Sequence, residues 1–117
     1  MDPIGKNGPL VKLMLDAAMK RQRVIAKNLA NVDTPGFKAK ELRFSRDLKQ
    51  ALEDGGNAGD VSLDVVERDG PSKPDGNTVD LDRELSDLSE NSLTYQTLVT
   101  LVALKTNMVR SAIQGRG

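Results

Sequence analysis

A chain of 117 residues with 17 basic and 17 acidic side chains has no net charge to draw it to nucleic acid or an anionic membrane, and its size suits one domain or one assembly subunit. Without Cys or His, disulfides, thiolate metal sites and the commonest general base are excluded. Phe37, Phe44 and Tyr95 are the only aromatic residues, so the apolar content is Leu, Val, Ala, Ile and Met, which suits helix seams.

Asp2-Pro3 and Gly8-Pro9 mark an irregular leader. From Val11 the residues Val11, Leu15, Ala18, Gln22, Ile25, Leu29 and Val32 step by four and three, and the spacing predicts a helix over Leu10 to Asn31. Only Gln22 breaks the stripe. Lys12, Asp16 and Lys20 interrupt the apolar residues here, and no stretch of the chain approaches the ~20 that a membrane span requires. The N-terminus also lacks the basic region, apolar block and small-residue cleavage site of a secretory signal. The sequence thus predicts neither direct membrane insertion nor a cleaved signal peptide.

Thr34-Pro35-Gly36 ends this helix. Pro35 disfavours the helical conformation at Thr34, and Gly36 accepts a positive φ, so Pro35-Gly36 predicts the centre of a type II turn. Asn31 suits the helix terminus and Asp33 local backbone bonding. Beyond the turn, Phe44, Leu48, Ala51 and Leu52 fit a short amphipathic helix capped by Ser45. Glu53 to Asp60, with three glycines, reads as loop. Val61, Leu63 and Val65 predict a short strand, and Asp69 to Asn77, dense in turn formers, predicts a mobile connection.

The strongest periodicity follows. Leu81, Leu85, Leu88, Ser92, Tyr95, Val99, Val102, Thr106, Val109 and Ile113 again step by four and three, flanked by Leu98, Leu101, Met108 and Ala112. Asp80 suits the N-cap, Asp82 and Glu84 the first turn, and Lys105, Arg110 and Arg116 the far end, each with the sign the helix dipole favours. A helix from Asp80 to Gln114 is some 50 Å long at ~1.5 Å per residue, the length of a rod rather than a globule.

The expected fold class is therefore mainly α. Long N- and C-terminal helices pack as an extended coiled coil, with a short, partly irregular middle containing a short helix and a small β element. Residues 1–36 hold the N-terminal helix and turn, 37–78 the middle segment with its flexible loop, and 79–117 the long C-terminal helix. In Leu98-Val99-Thr100-Leu101-Val102-Ala103-Leu104 the apolar residues point nearly all the way round, so one partner helix leaves part of the surface bare. Coverage by the first helix and the middle helix of the same chain is disfavoured, because the first helix is about a dozen residues shorter. Each Leu or Val left exposed forgoes ~1.5 to 3 kcal/mol. The expected packing and assembly residues are Leu15, Ile25, Leu29, Leu81, Leu85, Leu88, Tyr95, Leu98, Val99, Leu101, Val102, Met108, Val109 and Ile113.

Asn28, Leu29, Ala30, Asn31, Thr34, Pro35, Gly36, Phe37 and Lys38 together resemble the N-terminal motif of the flagellar axial proteins, the family of rod, hook and hook-junction subunits. Val79-Asp80-Leu81-Asp82-Arg83-Glu84, Glu90 to Gln96 and Met108 to Ile113 are similar to its basal-body rod members, as is Phe37 to Phe44. The resemblance covers nearly the whole chain, with the leader and residues 54–74 least diagnostic. It implies a structural subunit of the proximal rod, exported by the flagellar type III apparatus without a cleaved signal and built into the shaft that crosses the periplasm. The implied partners are other copies of the chain, other rod proteins, the MS ring and the adaptor protein at the rod base. The short middle disfavours a role in the hook.

Other chemistry is weaker. Lys20, Arg21, Arg23 and Lys27 lack interleaved aromatics and read as a solvated face or a contact to acidic groups on a neighbouring subunit, not a nucleic-acid site. Asp80, Asp82, Glu84, Asp87 and Glu90 match no calcium-loop spacing. Asp64 and Glu67 have no constellation that defines a reaction. No enzyme activity, cofactor or metal is expected. The rival reading is a helical adaptor or export chaperone that binds a partner through the same stripe. It predicts a closed complex, where a rod subunit predicts head-to-tail contacts.

Overall fold

The computed structural model describes residues 8–45, 50 and 61–115. The first helix, α1, spans Gly8–Ala30, followed by strands β1 (Lys40–Phe44) and β2 (Leu63–Glu67) and the long helix α2 (Leu81–Ile113). The sequence places both helix ranges within two residues. Gly8 and Pro9 open α1 instead of preceding it, because a proline in the first turn removes only an N–H that has no intrahelical acceptor. Asp80 caps α2 as expected, its carboxylate accepting the Arg83 N–H at 3.2 Å. At the other end Gly115 adopts a φ of +73° beyond the Gln114 cap.

Phe44 falls in β1, not at the start of a helix. β1 and β2 pair antiparallel with Lys40 opposite Glu67, Leu42 opposite Val65 and Phe44 opposite Leu63. Cross-strand pairing of Leu42 and Phe44 with the apolar residues of β2 overrides the helical spacing read from Phe44. The remainder of the expected middle helix, Leu48, Ala51 and Leu52, and the glycine loop lie outside the described residues. Asp69 to Asn77 is not a loose connection, since its end is tied to the end of α1 by the hydrogen bonds described below.

The helices run in opposite senses. Asn77 meets the end of α1 at Asn31, Asp87 meets Arg21, and Asn91 meets Ala18. Continued, this register brings the start of α1 level with the α2 residues just past Leu98, so about three turns of α2 run on beyond α1. The molecule is accordingly long and thin, 65 × 30 × 14 Å. Its buried apolar residues are mostly small: Val11, Ala17, Ala18, Ile25, Ala39, Val61, Val79 and Leu98. Among the described residues no helix is long and apolar enough to cross a membrane.

Candidate functional site

The family-like motif closes one end of the molecule. Asn28 is buried on α1, and its amide makes two bonds to the Lys40 backbone: Nδ2 donates to the carbonyl at 2.8 Å and Oδ1 accepts the N–H at 3.0 Å. The side chain thus acts as a short strand edge that fixes the start of β1. Asn31 Nδ2 donates to Lys27 O, and its Oδ1 accepts the Thr34 hydroxyl. Thr34 to Phe37 form the turn, with Phe37 N–H donated to Thr34 O at 3.2 Å and Gly36 at φ +75°, as a type II turn requires.

A residue not singled out from the sequence holds this turn in place. Asn77 is fully buried, and its Nδ2 lies 2.9, 3.1 and 2.7 Å from the carbonyls of Asn31, Val32 and Thr34. Its Oδ1 accepts the Val79 N–H just before α2. One side chain therefore satisfies carbonyls left open where α1 ends and orients the chain for α2. Gly36 N–H donates to Asp75 O, Lys38 Nζ to Gly76 O and Lys73 Nζ to Val32 O. The two lysine ammoniums also add positive charge beside the negative end of the α1 dipole. Asn28, Asn31, Thr34, Pro35, Gly36, Phe37 and Lys38 are brought together in this clasp, while Ala30 is an exposed residue at the end of α1.

The face that α2 turns inward is polar. Asn77, Glu84, Asn91 and Leu98 recur every seven residues and all are buried. Glu84 Oε1 accepts from Arg68 Nη1, an arginine just after β2, and the pair is almost wholly removed from water. Arg68 Nε and Glu84 Oε2 have no hydrogen-bond partner among the described residues. Asn91 Nδ2 donates to Ala18 O at 2.9 Å and to Gln22 Oε1 at 3.0 Å. Gln22, the break in the α1 stripe, thereby acquires a reason. Arg21 approaches Asp87 and Glu90 at 3.5 and 3.8 Å, so part of the basic face of α1 meets acids of its own chain.

Because α1 packs on that polar line, the strongest apolar stripe of α2 is not the seam between the two helices. Leu81, Leu85, Tyr95, Val99 and Ile113 are exposed, and Leu88, Val102 and Val109 are half-buried. This stripe lies about a fifth of a turn from the buried line. A second line, Leu93, Leu101, Leu104 and Met108, is exposed roughly on the opposite side of the helix, with Leu93 66% and Met108 64% accessible. Of the expected packing residues, Ile25 and Leu98 join the core, and Leu15 and Leu29 are half-buried on α1. The buried residues that sequence reasoning missed, Asn77 and Asn91, and Glu84 in its buried role, carry one signal, the seven-residue recurrence of Asn77, Glu84, Asn91 and Leu98, whereas Arg68 lies outside it and carries none.

A family model described as flagella basal body rod protein matches residues 15–38, the part of α1 and the turn that carry the clasp. The chain is 36% identical over 115 residues to the flagellar basal body rod protein FlgB of Proteus mirabilis strain HI4320, covering 81% of this chain and 84% of that protein. It is 36% identical over 121 residues to FlgB of Yersinia enterocolitica, covering 86% and 88%. With FlgB of Salmonella typhimurium the identity is 34% over 122 residues, with the same coverage. Likeness of this level along most of both chains, joined to a two-helix architecture with its motif at the α1 turn, shows that the chain belongs to the FlgB family of structural flagellar basal body rod proteins.

Proposed function

We propose that this rod subunit joins its neighbours through the two exposed apolar lines of α2, while the clasp at the end of α1 sets the direction in which α2 projects. The observation that carries this reading is the exposure of Leu101, Leu104, Met108 and Ile113 on the turns of α2 that run beyond α1. Two apolar lines on opposite sides suit an array in which each α2 lies between neighbours, since dissimilar contact faces repeat without closing on themselves. The neighbours are other copies of the chain and other rod proteins, with the MS ring and the adaptor protein at the rod base below them. The subunit reaches the periplasm through the flagellar type III export apparatus. Residues 1–36 with the N-terminal helix and turn, 37–78 as the short middle segment and 79–117 with the long C-terminal helix make up one assembly unit.

The reading is tested by Leu104→Asp with Met108→Asp. Both side chains are exposed, so the subunit keeps its helical content by circular dichroism. Rod assembly and motility are lost, because a buried carboxylate replaces an apolar contact. Normal motility in that variant would sink the proposal. The rival chaperone reading is disfavoured by the rod-protein relatives, and it predicts a soluble closed complex in place of the array.

A further inference from the structure

The sheet has two strands, so β1 keeps one edge that β2 does not cover. At either end of β1, Arg68 N–H donates to Ala39 O and Ser45 N–H to Ser62 O, which turns the odd-numbered residues toward β2. Lys40, Leu42 and Phe44 therefore direct their N–H and C=O groups the other way. Asn28 takes both groups of Lys40 from that side, one rung of strand pairing supplied by an amide. The next rungs are open: the outward groups of Leu42 and Phe44 have no partner among the described residues.

Beside β1 lies a cavity of about 420 Å³, with Met14 and Val24 of α1 on one wall and Leu42 and Phe44 on another. Arg21, Arg68 and Arg83 also line it. The three guanidiniums approach Asp87 at 3.5, 3.7 and 3.9 Å, and Arg21 approaches Glu90 at 3.8 Å, all longer than the ~2.7 to 3.2 Å of an N–H···O hydrogen bond. Glu41, the other acid on the wall, bonds to Arg43. Each guanidinium carries five N–H donors, so acceptors are in deficit here. Arg68 gives one to Glu84, while its Nε, in a side chain only 9% exposed, has no acceptor among the described residues. A buried donor without an acceptor is destabilising, and a carboxylate supplies two oxygens to a guanidinium fork.

We propose that this groove takes an extended peptide segment of another protein that carries an Asp or Glu side chain. Its backbone continues where Asn28 stops and adds a strand to β1 through Leu42 and Phe44. Its carboxylate accepts from Arg21, Arg68 and Arg83. Residues two apart on a strand lie on one face, so an acid and an apolar residue at that spacing address the arginines and the Met14–Phe44 wall together. The groove uses none of Leu101, Leu104, Met108 and Ile113, so this inference goes beyond the proposed rod contact and does not depend on it.

The test uses the full chain and the labelled peptide Thr-Val-Thr-Glu-Thr-Val-Thr, whose palindromic order presents Val, Glu and Val on one face in either strand direction. Fluorescence anisotropy is expected to give at least about tenfold tighter binding than the same peptide with Gln in place of Glu. Arg21→Gln with Arg83→Gln removes that preference and leaves the helical content unchanged, since both side chains are partly exposed. Hydrogen exchange at the Leu42 and Phe44 amides slows at least about tenfold in the bound chain, while Glu41 and Arg43, already turned toward β2, change little. Failure of the Glu peptide to bind overturns the proposal. Equal binding of the Gln peptide, or an unchanged preference in the double variant, overturns the acidic occupant. Binding that leaves exchange at Leu42 and Phe44 unaltered overturns strand addition.

Discussion

Asn77 concentrates three functions in one amide. Its Nδ2 serves carbonyls of Asn31, Val32 and Thr34, its Oδ1 serves Val79, and its burial leaves no room for water to substitute. Removing a buried partner costs about 1 to 3 kcal/mol, the desolvation penalty of the groups left unpaired. Asn77→Ala should therefore lower stability by that order in urea unfolding. Asn77→Asp is nearly isosteric, yet it exchanges a donor for a carboxylate facing three carbonyl oxygens. It should destabilise at least as much as Asn77→Ala, and an Asp variant as stable as the parent would show that shape, not donation, holds the clasp. Gly36 is the contrasting case: a Cβ there meets nothing within 4 Å, so its role is the φ of +75° alone. The need for Gly36 was legible in Thr34-Pro35-Gly36 because turn chemistry is local. The need for Asn77 was not, because its acceptors lie more than forty residues away in the chain.

At the scale of elements, both long helices were legible from apolar spacing, caps and the proline stop, all of which act within a few residues. β1 was hidden, because Lys40 to Phe44 becomes a strand through β2 and through the amide of Asn28 rather than by its own pattern. Glu84 was read as an acid placed for the helix dipole, but it is buried against Arg68 and joins the two-stranded sheet to α2. Removing one partner of such a pair strands a charge in the interior, a cost of about 3 to 5 kcal/mol, whereas replacing both with apolar groups is often neutral. Arg68→Met alone should lower the urea midpoint strongly. Adding Glu84→Leu should restore much of the loss, and a double variant no more stable than the single one would mean that the pair does more than neutralise itself. The unpartnered Arg68 Nε and Glu84 Oε2 favour the rescue, since both orphaned groups disappear with the pair.

For the whole molecule, the consequence of a polar inner line is that the best apolar stripe of α2 stays exposed or half-buried rather than entering the seam with α1. The sequence revealed that the stripe exceeds what one partner helix covers. It did not reveal that α1 packs beside the stripe instead of on it, because burial of Glu84 and Asn91 depends on partners in Arg68, Ala18 and Gln22 that spacing alone does not identify. The same asymmetry predicts a gradient of order along one helix. Helices gain most of their stability from packing, and an isolated stretch of fewer than ~12 to 15 residues is marginal in water. Between Glu84 and Leu98, α2 is held by the ion pair, the Asn91 amide and the α1 seam. From Leu101 onward it has no such support among the described residues, and Ile113 near its end is 74% accessible. Hydrogen exchange of the dilute monomer should show protected amides through Leu98 and fast exchange beyond Leu101, with protection extending to Ile113 once the subunit is in the rod. Uniform protection along α2 in the monomer would contradict this, since the projecting turns would then be stable without a neighbour.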